Sequence, residues 1–195
     1  MTILKGSETC LNLMRSFAGE SQARTRYDLF SAIALEEGYK QLENVFKETA
    51  NNELAHAKIF FDFLYNGLGQ ASVPVNGEYP VEIGATRDNL LGAAAGEHDE
   101  HTNVYPHFAE IAAAEGFKEI SYHFKMIGEI EGEHETRFTK FADELASSTL
   151  FKKENEVYYK CIHCGHVHTG PEAPMVCPNC HYPQAYFMVV PTPST

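Results

Sequence analysis

The sequence predicts a chain of two parts, an all-α four-helix bundle followed by a small metal-binding domain. Four long segments between residues 8 and 146 place apolar residues at the 3,4 spacing of amphipathic helices. Two Cys-x-x-Cys pairs lie after residue 156, where no helical period is visible. The 195 residues suffice for one large domain with a small second one.

The first two helices are expected to form a hairpin. Ser7 can cap the first helix, which should end near Gly38. The second helix should cover about 39–65 and stop at Asn66-Gly67. Because the joint around Gly38 is short, the two helices should be antiparallel neighbours.

The third and fourth helices should form a second hairpin. The third helix should start after Thr86 and end near Gly116, with a kink at Pro106, because proline lacks the N–H of a helical hydrogen bond. The fourth helix should cover 117–146. The short joint around Gly116 again indicates an antiparallel pair.

The connection between the hairpins decides the topology. It is rich in Gly, Pro and Val, and its roughly 20 residues can span about 66 Å when extended. Helices of about 27 residues are about 40 Å long, so this connection can cross the whole bundle and make the second and third helices parallel. One long crossover between two hairpins is the ferritin-like arrangement. We expect a ferritin-like bundle over 1–146, a linker over 147–156 and the cysteine domain over 157–195.

The two hairpins resemble each other in sequence. Residues 18–20 and 95–97 both read Ala-Gly-Glu, at an offset of 77. Three further pairs match at an offset of 78: Tyr27 with Tyr105, Glu53 with Glu131, and His56 with His134. The near-constant offset indicates an internal duplication in which a pseudo-two-fold axis relates the halves of the bundle.

Glutamates and histidines interrupt the apolar stripes near the middle of the helices. A lone buried carboxylate costs several kcal/mol, and several in one layer would also repel one another, so bound cations would offset both costs. Glu and His three residues apart lie on one helix face and can reach one ion. The seven candidate ligands are Glu20, Glu53, His56, Glu97, Glu100, Glu131 and His134.

This pattern matches the ligand set of carboxylate-bridged dimetal bundles, in which two helices each give one Glu and two give Glu-x-x-His. Oxygen ligands with two imidazoles favour iron or manganese. For any single glutamate, a stripe-edge position with its carboxylate in water is the alternative. Glu100 has no counterpart in the first helix, where Ala23 stands, and offers one metal a choice of ligands. Beyond it, the stripe of the third helix should continue through Val104, His107 and Ile111.

Two further pairs of residues lie beside the candidate ligands. Gly19 and Gly96 each precede a ligand inside a helix, where close helix approach or room for a small substrate would explain them. Tyr27 and Tyr105 lie one to two turns from the ligands. Their hydroxyls can bond a ligand carboxylate or a bound oxygen species, or the rings can serve as ordinary core aromatics.

Two cysteine knuckles form the second candidate site. Two Cys-x-x-Cys units in a short segment indicate a tetrahedral tetrathiolate site, and the spacing leaves structural zinc and redox iron open. A disulfide or thiol-exchange role is the weaker alternative. Gly165 supplies a positive φ after the first knuckle, and His181 stands at that place after the second. The four ligands are Cys161, Cys164, Cys177 and Cys180.

Charge and composition restrict the partners. The formal net charge is −12 and no basic run is present, which argues against nucleic acid and anionic membranes as partners. No stretch reaches the roughly 18 apolar residues of a membrane span, and the start of the chain does not resemble a signal peptide. We therefore expect a cytoplasmic protein whose thiols stay reduced and available to a metal.

Taken together, the motifs resemble those of the rubrerythrin family. The bundle carries its motifs at 18–24, 53–56, 96–100 and 131–134. The tail is similar to rubredoxin, although His181 and the absence of Trp depart from free rubredoxins. Besides the knuckles, the residues of that similarity are Tyr159, Gly165, Gly170, Ala173, Pro174, Pro178, Pro183 and Phe187.

The resemblance implies a non-haem di-iron peroxidase that reduces hydrogen peroxide to water. It implies two irons in the bundle, with Glu53 and Glu131 as bridges, and one iron on the four cysteines. It also implies that one bundle iron exchanges Glu100 for His56 between the oxidised and reduced states. The remaining implied ligands are Glu20, Glu97 and His134.

The same resemblance implies partners. Reduced rubredoxin or an NAD(P)H-dependent reductase would donate the electrons. The chain would form a homodimer in which one subunit's rubredoxin-like domain lies near the other subunit's di-iron site. The alternatives are a ferroxidase or iron-handling protein, and a structural or regulatory module with a zinc ribbon.

Overall fold

The computed structural model describes residues 3–191. Its helices are α1 (Glu8–Glu36), α2 (Lys40–Leu68), α3 (Thr86–Asp99), a π-helix (Glu100–Val104), α4 (Tyr105–Ala114), α5 (Lys118–Ala146) and a 3-10 helix (Gln184–Tyr186). Its strands are β1 (Lys152–Cys161), β2 (Val167–Glu172) and β3 (Phe187–Val190). Across residues 3–191, no helix is both long and apolar enough to cross a bilayer.

The helices form two hairpins joined by one long crossover. α1 packs along α2, while α3 and α4 pack along α5. The crossover runs from the end of α2 to the start of α3, and 71–84 within it carries neither helix nor strand. The predicted fold class, a ferritin-like four-helix bundle with a small C-terminal knuckle domain, is confirmed.

The start of α1 is capped twice. The hydroxyl of Ser7 accepts a hydrogen bond from the backbone N–H of Cys10 at 3.1 Å, as expected of an N-cap. The carboxylate of Glu115 accepts the backbone N–H groups of Glu8 at 3.0 Å and Thr9 at 2.8 Å. These bonds satisfy the free donors of the first turn and join α1 to the end of α4.

The end of α2 differs from the prediction. The helix continues through Asn66 and Gly67 and ends at Leu68, with Gly69 at φ +66° as the following residue. Gly67 serves packing instead, since a Cβ at this position would lie 2.4 Å from the Cδ2 atom of Leu4. A glycine that lets two segments approach closely is not distinguishable, in a sequence, from one that ends a helix.

A π-helix interrupts the expected third helix. It ends at Val104, two residues before Pro106, which lies in the first turn of α4. The predicted kink is thus taken up by the π-helix. One turn of π-helix accommodates one extra residue. This extra residue explains why the repeat offset is 77 at Glu97 and 78 at Tyr105.

The same extra residue shifts the buried face of α4, so the predicted stripe was wrong beyond the π-helix. His107 is exposed, and Val104 and Ile111 are only half-buried. A strict 3.6-residue period ignores the extra residue of the π-helix, so it predicts the buried positions of α4 too early in the chain. The buried residues of α4 are Tyr105, Ala109 and Ala112.

Two glycines of α5 make room for the π-helix. The ring of His101 lies against Gly132, where an added Cβ would be 3.1 Å from its Nδ1 and Cε1 atoms. The Nδ1 atom of His101 lies 2.7 Å from the carbonyl oxygen of Gly128, which accepts its N–H. An added Cβ at Gly128 would in turn lie 3.1 Å from the Cβ of Tyr105. The α5 glycines and the π-helix are therefore complementary in shape.

Replacing Gly132 with alanine should give none of the stabilisation, about 1 kcal/mol, that this change normally gives inside a helix. The added methyl would push the His101 ring from its hydrogen bond, so we expect a net loss of about 1 kcal/mol. In a His101→Ala background the same change should stabilise the bundle. Urea unfolding followed by helical circular dichroism measures both effects, and equal effects in the two backgrounds would contradict this contact.

The core of the bundle consists of two apolar clusters on either side of a polar layer. One cluster contains Phe30, Phe46 and Phe138, and the other contains Phe60 and Phe124. Along each long helix, the interrupting glutamates fall between the segments that supply the two clusters. The polar layer is therefore enclosed by apolar side chains above and below.

The C-terminal domain is a three-stranded antiparallel sheet in the order β2-β1-β3. Its first strand begins at Lys152, inside the segment 147–156 that was expected to be a linker. The strand is paired there, since Lys152 lies opposite Glu172. Phe151 stacks on Tyr39 at the start of α2, with ring centroids 6.4 Å apart, so the domain sits against one end of the bundle.

Candidate metal centres

Six of the seven predicted bundle ligands meet in the buried layer. Each of the six is at most 5% exposed, although all six carry a carboxylate or an imidazole. Two groups share this layer, and within each the ligand atoms all lie within 4.8 Å of one another. They are Glu20, Glu53, His56 and Glu131 in one group, and Glu53, Glu97, Glu131 and His134 in the other.

Glu53 and Glu131 belong to both groups. One oxygen of Glu53 lies 2.9 Å from Nδ1 of His56, and the other lies 3.2 Å from Nδ1 of His134. The two oxygens of Glu131 lie 3.0 Å and 2.8 Å from the same two nitrogen atoms. Each carboxylate therefore offers one oxygen to each group, which is the arrangement that a bridging ligand requires.

Two tyrosines hold the outer carboxylates across the bundle. Tyr27 on α1 donates its hydroxyl hydrogen to Glu97 on α3 at 2.5 Å, and Tyr105 on α4 donates to Glu20 on α1. Each hydrogen bond joins one hairpin to the other, as the pseudo-two-fold repeat requires. Hydrogen bonds of this kind orient carboxylates that bind a metal.

The outer carboxylates resist ionisation in this layer. Burial raises the pKa of Glu20 to about 8, and the neighbouring imidazole of His56 offsets part of the rise. Burial also raises the pKa of Glu97 well above its ordinary value, and the charges of Glu131 and Glu53 raise it further.

The pKa values of Glu53 and the two histidines are instead shifted towards the charged forms. Burial favours the neutral form of Glu53, but the imidazoles of His134 and His56 lower its pKa to about 2. Burial also opposes protonation of His134, but the carboxylates of Glu131 and Glu53 raise its pKa to about 9. The pKa of His56 is raised as well, since three carboxylates outweigh its burial. Without metal, protons bound to the outer carboxylates and to the imidazoles offset the negative charge of this layer.

Several polar atoms of the buried layer have no hydrogen-bond partner within the described chain, and metal ions fit among them. Buried polar atoms are nearly always paired, so a concentration of orphaned ligand atoms indicates an absent partner. Two cations would supply it, and oxygen-rich ligands with two imidazoles suit iron or manganese. The orphaned atoms are Oε2 of Glu20, Oε1 of Glu53, Oε2 of Glu97, both carboxylate oxygens of Glu131, and Nδ1 of His134.

Glu100, the seventh predicted ligand, lies outside both groups. It is the first residue of the π-helix, is partly exposed, and lines a cavity at the side of the bundle. Of the two residues expected to exchange, the structure thus places His56 in the layer and leaves Glu100 beside it. Burial, together with the charge of Glu20, raises the pKa of Glu100 well above its ordinary value.

The four knuckle cysteines form a second site in the C-terminal domain. Cys161 and Cys180 have their sulfur atoms 3.7 Å apart, as do Cys164 and Cys177. A tetrahedral ion with metal–sulfur bonds of about 2.3 Å places its ligands about 3.8 Å apart, so the thiolates are positioned for one ion.

The two knuckles have matching turns. The backbone N–H of Gly165 donates to the carbonyl oxygen of Cys161, and that of His181 donates to the carbonyl oxygen of Cys177, at 2.8 Å and 2.9 Å. Gly165 has φ +79° and His181 has φ +62°. His181 therefore adopts the left-handed conformation that glycine adopts in the first knuckle, which histidine tolerates better than most residues. The departure noted in the sequence leaves the knuckle geometry unchanged.

Two family models match the two parts of this chain. The family model for rubrerythrin matches residues 12–142, which is more than half of the chain. The chain belongs to the rubrerythrin family. A second model, for the rubredoxin-like domain of rubrerythrin, matches residues 159–188. The predicted family is thus confirmed, as are the cofactors: two irons in the bundle and one iron on four cysteines.

Individual relatives match over nearly their whole length. The chain is 50% identical to rubrerythrin from Clostridium perfringens, over 97% of each chain. It is 47% identical to rubrerythrin-1 from Clostridium acetobutylicum, over 97% of this chain and 98% of the relative. A rubrerythrin from Nitratidesulfovibrio vulgaris is 43% identical over 96% of each chain. Membership of this family makes the chain an oxidoreductase.

Solved structures give the same fold. A mixed-valence form of nigerythrin superposes with a TM-score of 0.64 at 27% identity, covering 95% of this chain and 87% of the other. A bacterioferritin from Desulfovibrio desulfuricans superposes with a TM-score of 0.65 at 20% identity, covering 72% and 81%. At that identity the bacterioferritin supports the bundle fold alone.

One residue at the site was not identified from the sequence. Tyr79, in the crossover, places its ring 3.7 Å from where a Cβ of Gly19 would lie. The crossover has no periodic pattern of apolar residues, so no sequence signal distinguished Tyr79 from its neighbours.

Proposed function

We propose that the chain is a di-iron peroxidase that reduces hydrogen peroxide to two molecules of water. The observation that carries this proposal is the pair of ligand groups sharing Glu53 and Glu131, in one chain with a tetrathiolate site. When bound, two ferrous ions supply the two electrons that, with two protons, convert one peroxide into two waters. A one-electron centre on the four cysteines can then return the electrons singly.

The position of each residue in the layer would decide its role in metal binding. Glu53 and Glu131 would bridge the two metals, since each presents one oxygen to each group. Tyr27 and Tyr105 would keep the outer carboxylates oriented through their hydroxyl hydrogens. Glu100 would replace His56 on one metal in the oxidised state. The remaining ligands would be Glu20 and His56 for one metal, and Glu97 and His134 for the other.

The apolar clusters above and below the layer would exclude bulk water from the reaction. The electron donor would be reduced rubredoxin or an NAD(P)H-dependent reductase, in the cytoplasm, where the four thiolates stay reduced. We also take residues 1–146 as one functional domain, and we extend the second, expected over 157–195, back to Lys152, where its first strand begins.

The peroxidase proposal predicts a preference for peroxide over oxygen. The fully reduced protein, mixed anaerobically with hydrogen peroxide, should oxidise at least about tenfold faster than with an equal concentration of O₂, a difference of about 1.4 kcal/mol in activation free energy. Stopped-flow absorbance measures both rates. The metal content should be two bundle irons and one cysteine-bound iron per chain. Equal or faster oxidation by O₂ would contradict the proposal.

We also propose a homodimer that brings one subunit's cysteine site near the other's di-iron site. Within one chain, the C-terminal domain contacts the bundle beside Tyr39, at the start of α2. Glu53 lies 14 residues further along α2, which corresponds to about 21 Å along the helix axis. A partner's domain docked beside the layer would offer a shorter electron path.

The dimer proposal predicts complementation between two inactive variants. Glu53→Ala should lose the di-iron site, and Cys177→Ser should lose the cysteine-bound iron. When the two chains are refolded together, the mixed dimer retains one working path from the partner's cysteine site. Peroxidase activity with a supplied donor should therefore return to a measurable fraction of the original. Activity no greater than the sum of the separate variants would argue for transfer within one chain.

A further inference from the structure

A cavity of about 500 Å³ lies at the side of the bundle, next to the buried metal layer. Its inner wall includes Gly19, Gly96, Glu100 and Tyr105. Its outer wall is part of the crossover, residues 77–80 and Glu82. Tyr105 bonds Glu20 of the metal layer, so this cavity reaches the residues that contact the proposed di-iron site.

The cavity meets the site at a partly exposed residue, Glu100. The six ligands of the layer are at most 5% exposed, whereas Glu100 is partly exposed and lines the cavity. A small molecule that reaches the metal layer by this route must therefore pass Glu100.

The two glycines of the inner wall keep this passage open. Among the described residues, the atoms within 4 Å of an added Cβ at Gly19, apart from its own helix backbone and chain neighbours, belong to two side chains, Tyr79 at 3.7 Å and Glu100 at 4.0 Å. For Gly96 the corresponding atom is a guanidinium nitrogen of Arg26 at 3.9 Å. Within the described chain, no backbone of another helix comes within 4 Å of either position, so close helix approach does not explain the two glycines. Gly19 instead leaves room between Tyr79 and Glu100.

The crossover is fastened over the cavity by α1. The hydroxyl of Tyr79 donates to the carbonyl of Arg15 at 3.0 Å. The Nε of Arg15 donates to the carbonyl of Asn76 at 3.2 Å, and Arg26 lies 3.6 Å from the carboxylate of Glu82. These contacts hold the Tyr79 ring in front of Gly19, where one added carbon would already lie 3.7 Å from Tyr79 and 4.0 Å from Glu100.

We propose that Tyr79 and Gly19 form a size-selective entrance, which admits hydrogen peroxide to the metal layer and excludes hydroperoxides that carry a bulky alkyl group. The peroxide as substrate rests on the proposed function, whereas the entrance itself rests on the cavity and the two side chains. Tyr79 is thus a specificity-determining residue. It acts by limiting the space beside Gly19 and Glu100.

The test compares Tyr79→Ala with Tyr79→Phe and with Tyr122→Ala, an exposed tyrosine of α5 as matched control. Oxidation of the reduced protein is measured with hydrogen peroxide and with tert-butyl hydroperoxide. Tyr79→Ala should raise the ratio of the tert-butyl rate to the hydrogen peroxide rate by about tenfold or more. Tyr79→Phe keeps the ring and should keep the ratio within about twofold. An unchanged ratio in Tyr79→Ala would overturn the proposal.

A second readout does not depend on peroxide chemistry. Azide association with the oxidised, iron-loaded protein is followed by absorbance in Gly19→Ala and Gly19→Val. The alanine Cβ makes ordinary contacts, whereas valine adds two further carbons in the gap, so the azide rate should fall in the order Gly, Ala, Val, by about tenfold overall. Equal azide rates in proteins of equal iron content would overturn the entrance. Loss of peroxide reactivity with graded azide rates would overturn the peroxidase proposal alone.

Discussion

Replacing Glu131 with alanine is expected to remove both irons from the bundle and leave the cysteine site loaded. Glu131 is fully buried, and its two oxygens lie 3.0 Å and 2.8 Å from His56 and His134, one in each ligand group. Loss of a ligand common to both groups weakens both positions at once. The iron content should fall from about three to about one per chain. Metal analysis and the visible spectrum of the FeS₄ site measure this.

The matched control is Glu133→Ala, two residues away in the same helix. Glu133 is exposed and belongs to neither ligand group, so this variant should keep all its iron. Cys177→Ser should give the reciprocal result, with the bundle irons retained and the FeS₄ colour lost. A Glu131→Ala protein that holds two bundle irons as tightly as the original would show that the bridging assignment is wrong.

Glu131→Ala should also lower the stability of the metal-free bundle. The two Glu131 oxygens lie 3.0 Å and 2.8 Å from the imidazoles of His56 and His134, and this carboxylate contributes to the raised pKa of both. Removing it leaves two buried imidazolium groups with one partner fewer, which typically costs about 3–5 kcal/mol. The urea midpoint of the metal-free variant should therefore fall, and added iron should not restore it. A metal-free variant as resistant to urea as the original would show that the Glu131 carboxylate does not stabilise the fold.

The metal-free bundle is expected to lose stability steeply between about pH 5 and pH 9. The pKa of Glu20 is about 8 in the folded chain and 4.5 in the reference state, so its contribution is present below pH 4.5 and is lost as the pH rises through 8. The pKa of His134 is about 9 against 6.5, so its contribution is lost over the range from 6.5 to 9. Together these losses are on the order of several kcal/mol.

On the acid side the sign reverses. The pKa of Glu53 is about 2 against 4.5, so its contribution is present above pH 4.5 and is lost as the pH falls through 2. The metal-free bundle should therefore be most stable near pH 4.5, where the loss from Glu53 on the acid side ends and the loss from Glu20 on the alkaline side begins. Iron replaces the protons of the layer, so the loaded bundle should show no such fall towards pH 9.

Urea midpoints of the two forms, measured by helical circular dichroism from pH 5 to pH 9, test this prediction. The gap between the loaded and metal-free midpoints should widen as the pH rises. A metal-free midpoint that stays flat or increases over this range would contradict the raised pKa values of the layer. The cysteine domain carries no helix longer than three residues in the described chain, so it contributes little to the helical signal.

Much of the metal layer was predictable because its ligand spacing is local. Glu53 with His56, and Glu131 with His134, lie three residues apart, and helical geometry alone places each pair on one face. The apolar stripes around them predicted burial, which the structure confirms at 5% exposure or less. The spacings did not predict that these residues form two ligand groups that share two carboxylates. That arrangement depends on how the four helices are placed around one axis.

The third helix shows where periodicity fails. The change of repeat offset from 77 to 78 was visible, but a one-residue insertion can be taken up as a loop, a kink or a π-helix. The structure takes it up as a π-helix at Glu100–Val104, which exposes His107 and buries Ala109. Gly128 and Gly132 on α5 leave space for the side chains of Tyr105 and His101. These contacts join residues that are far apart in the chain, so no local pattern predicts them.

Local features of this protein follow from its amino-acid sequence: most of the helical segments and the two cysteine knuckles depend on spacings of two to four residues, and the crossover depends on a length that can span the bundle. The family followed from the resemblance of whole motifs. The bonds of Tyr27 to Glu97 and of Tyr105 to Glu20, and the position of Tyr79 over Gly19, depend instead on tertiary packing. Those contacts join different elements, and one of them involves a crossover without periodicity. Their partners are set by packing of the whole bundle, which no local pattern records.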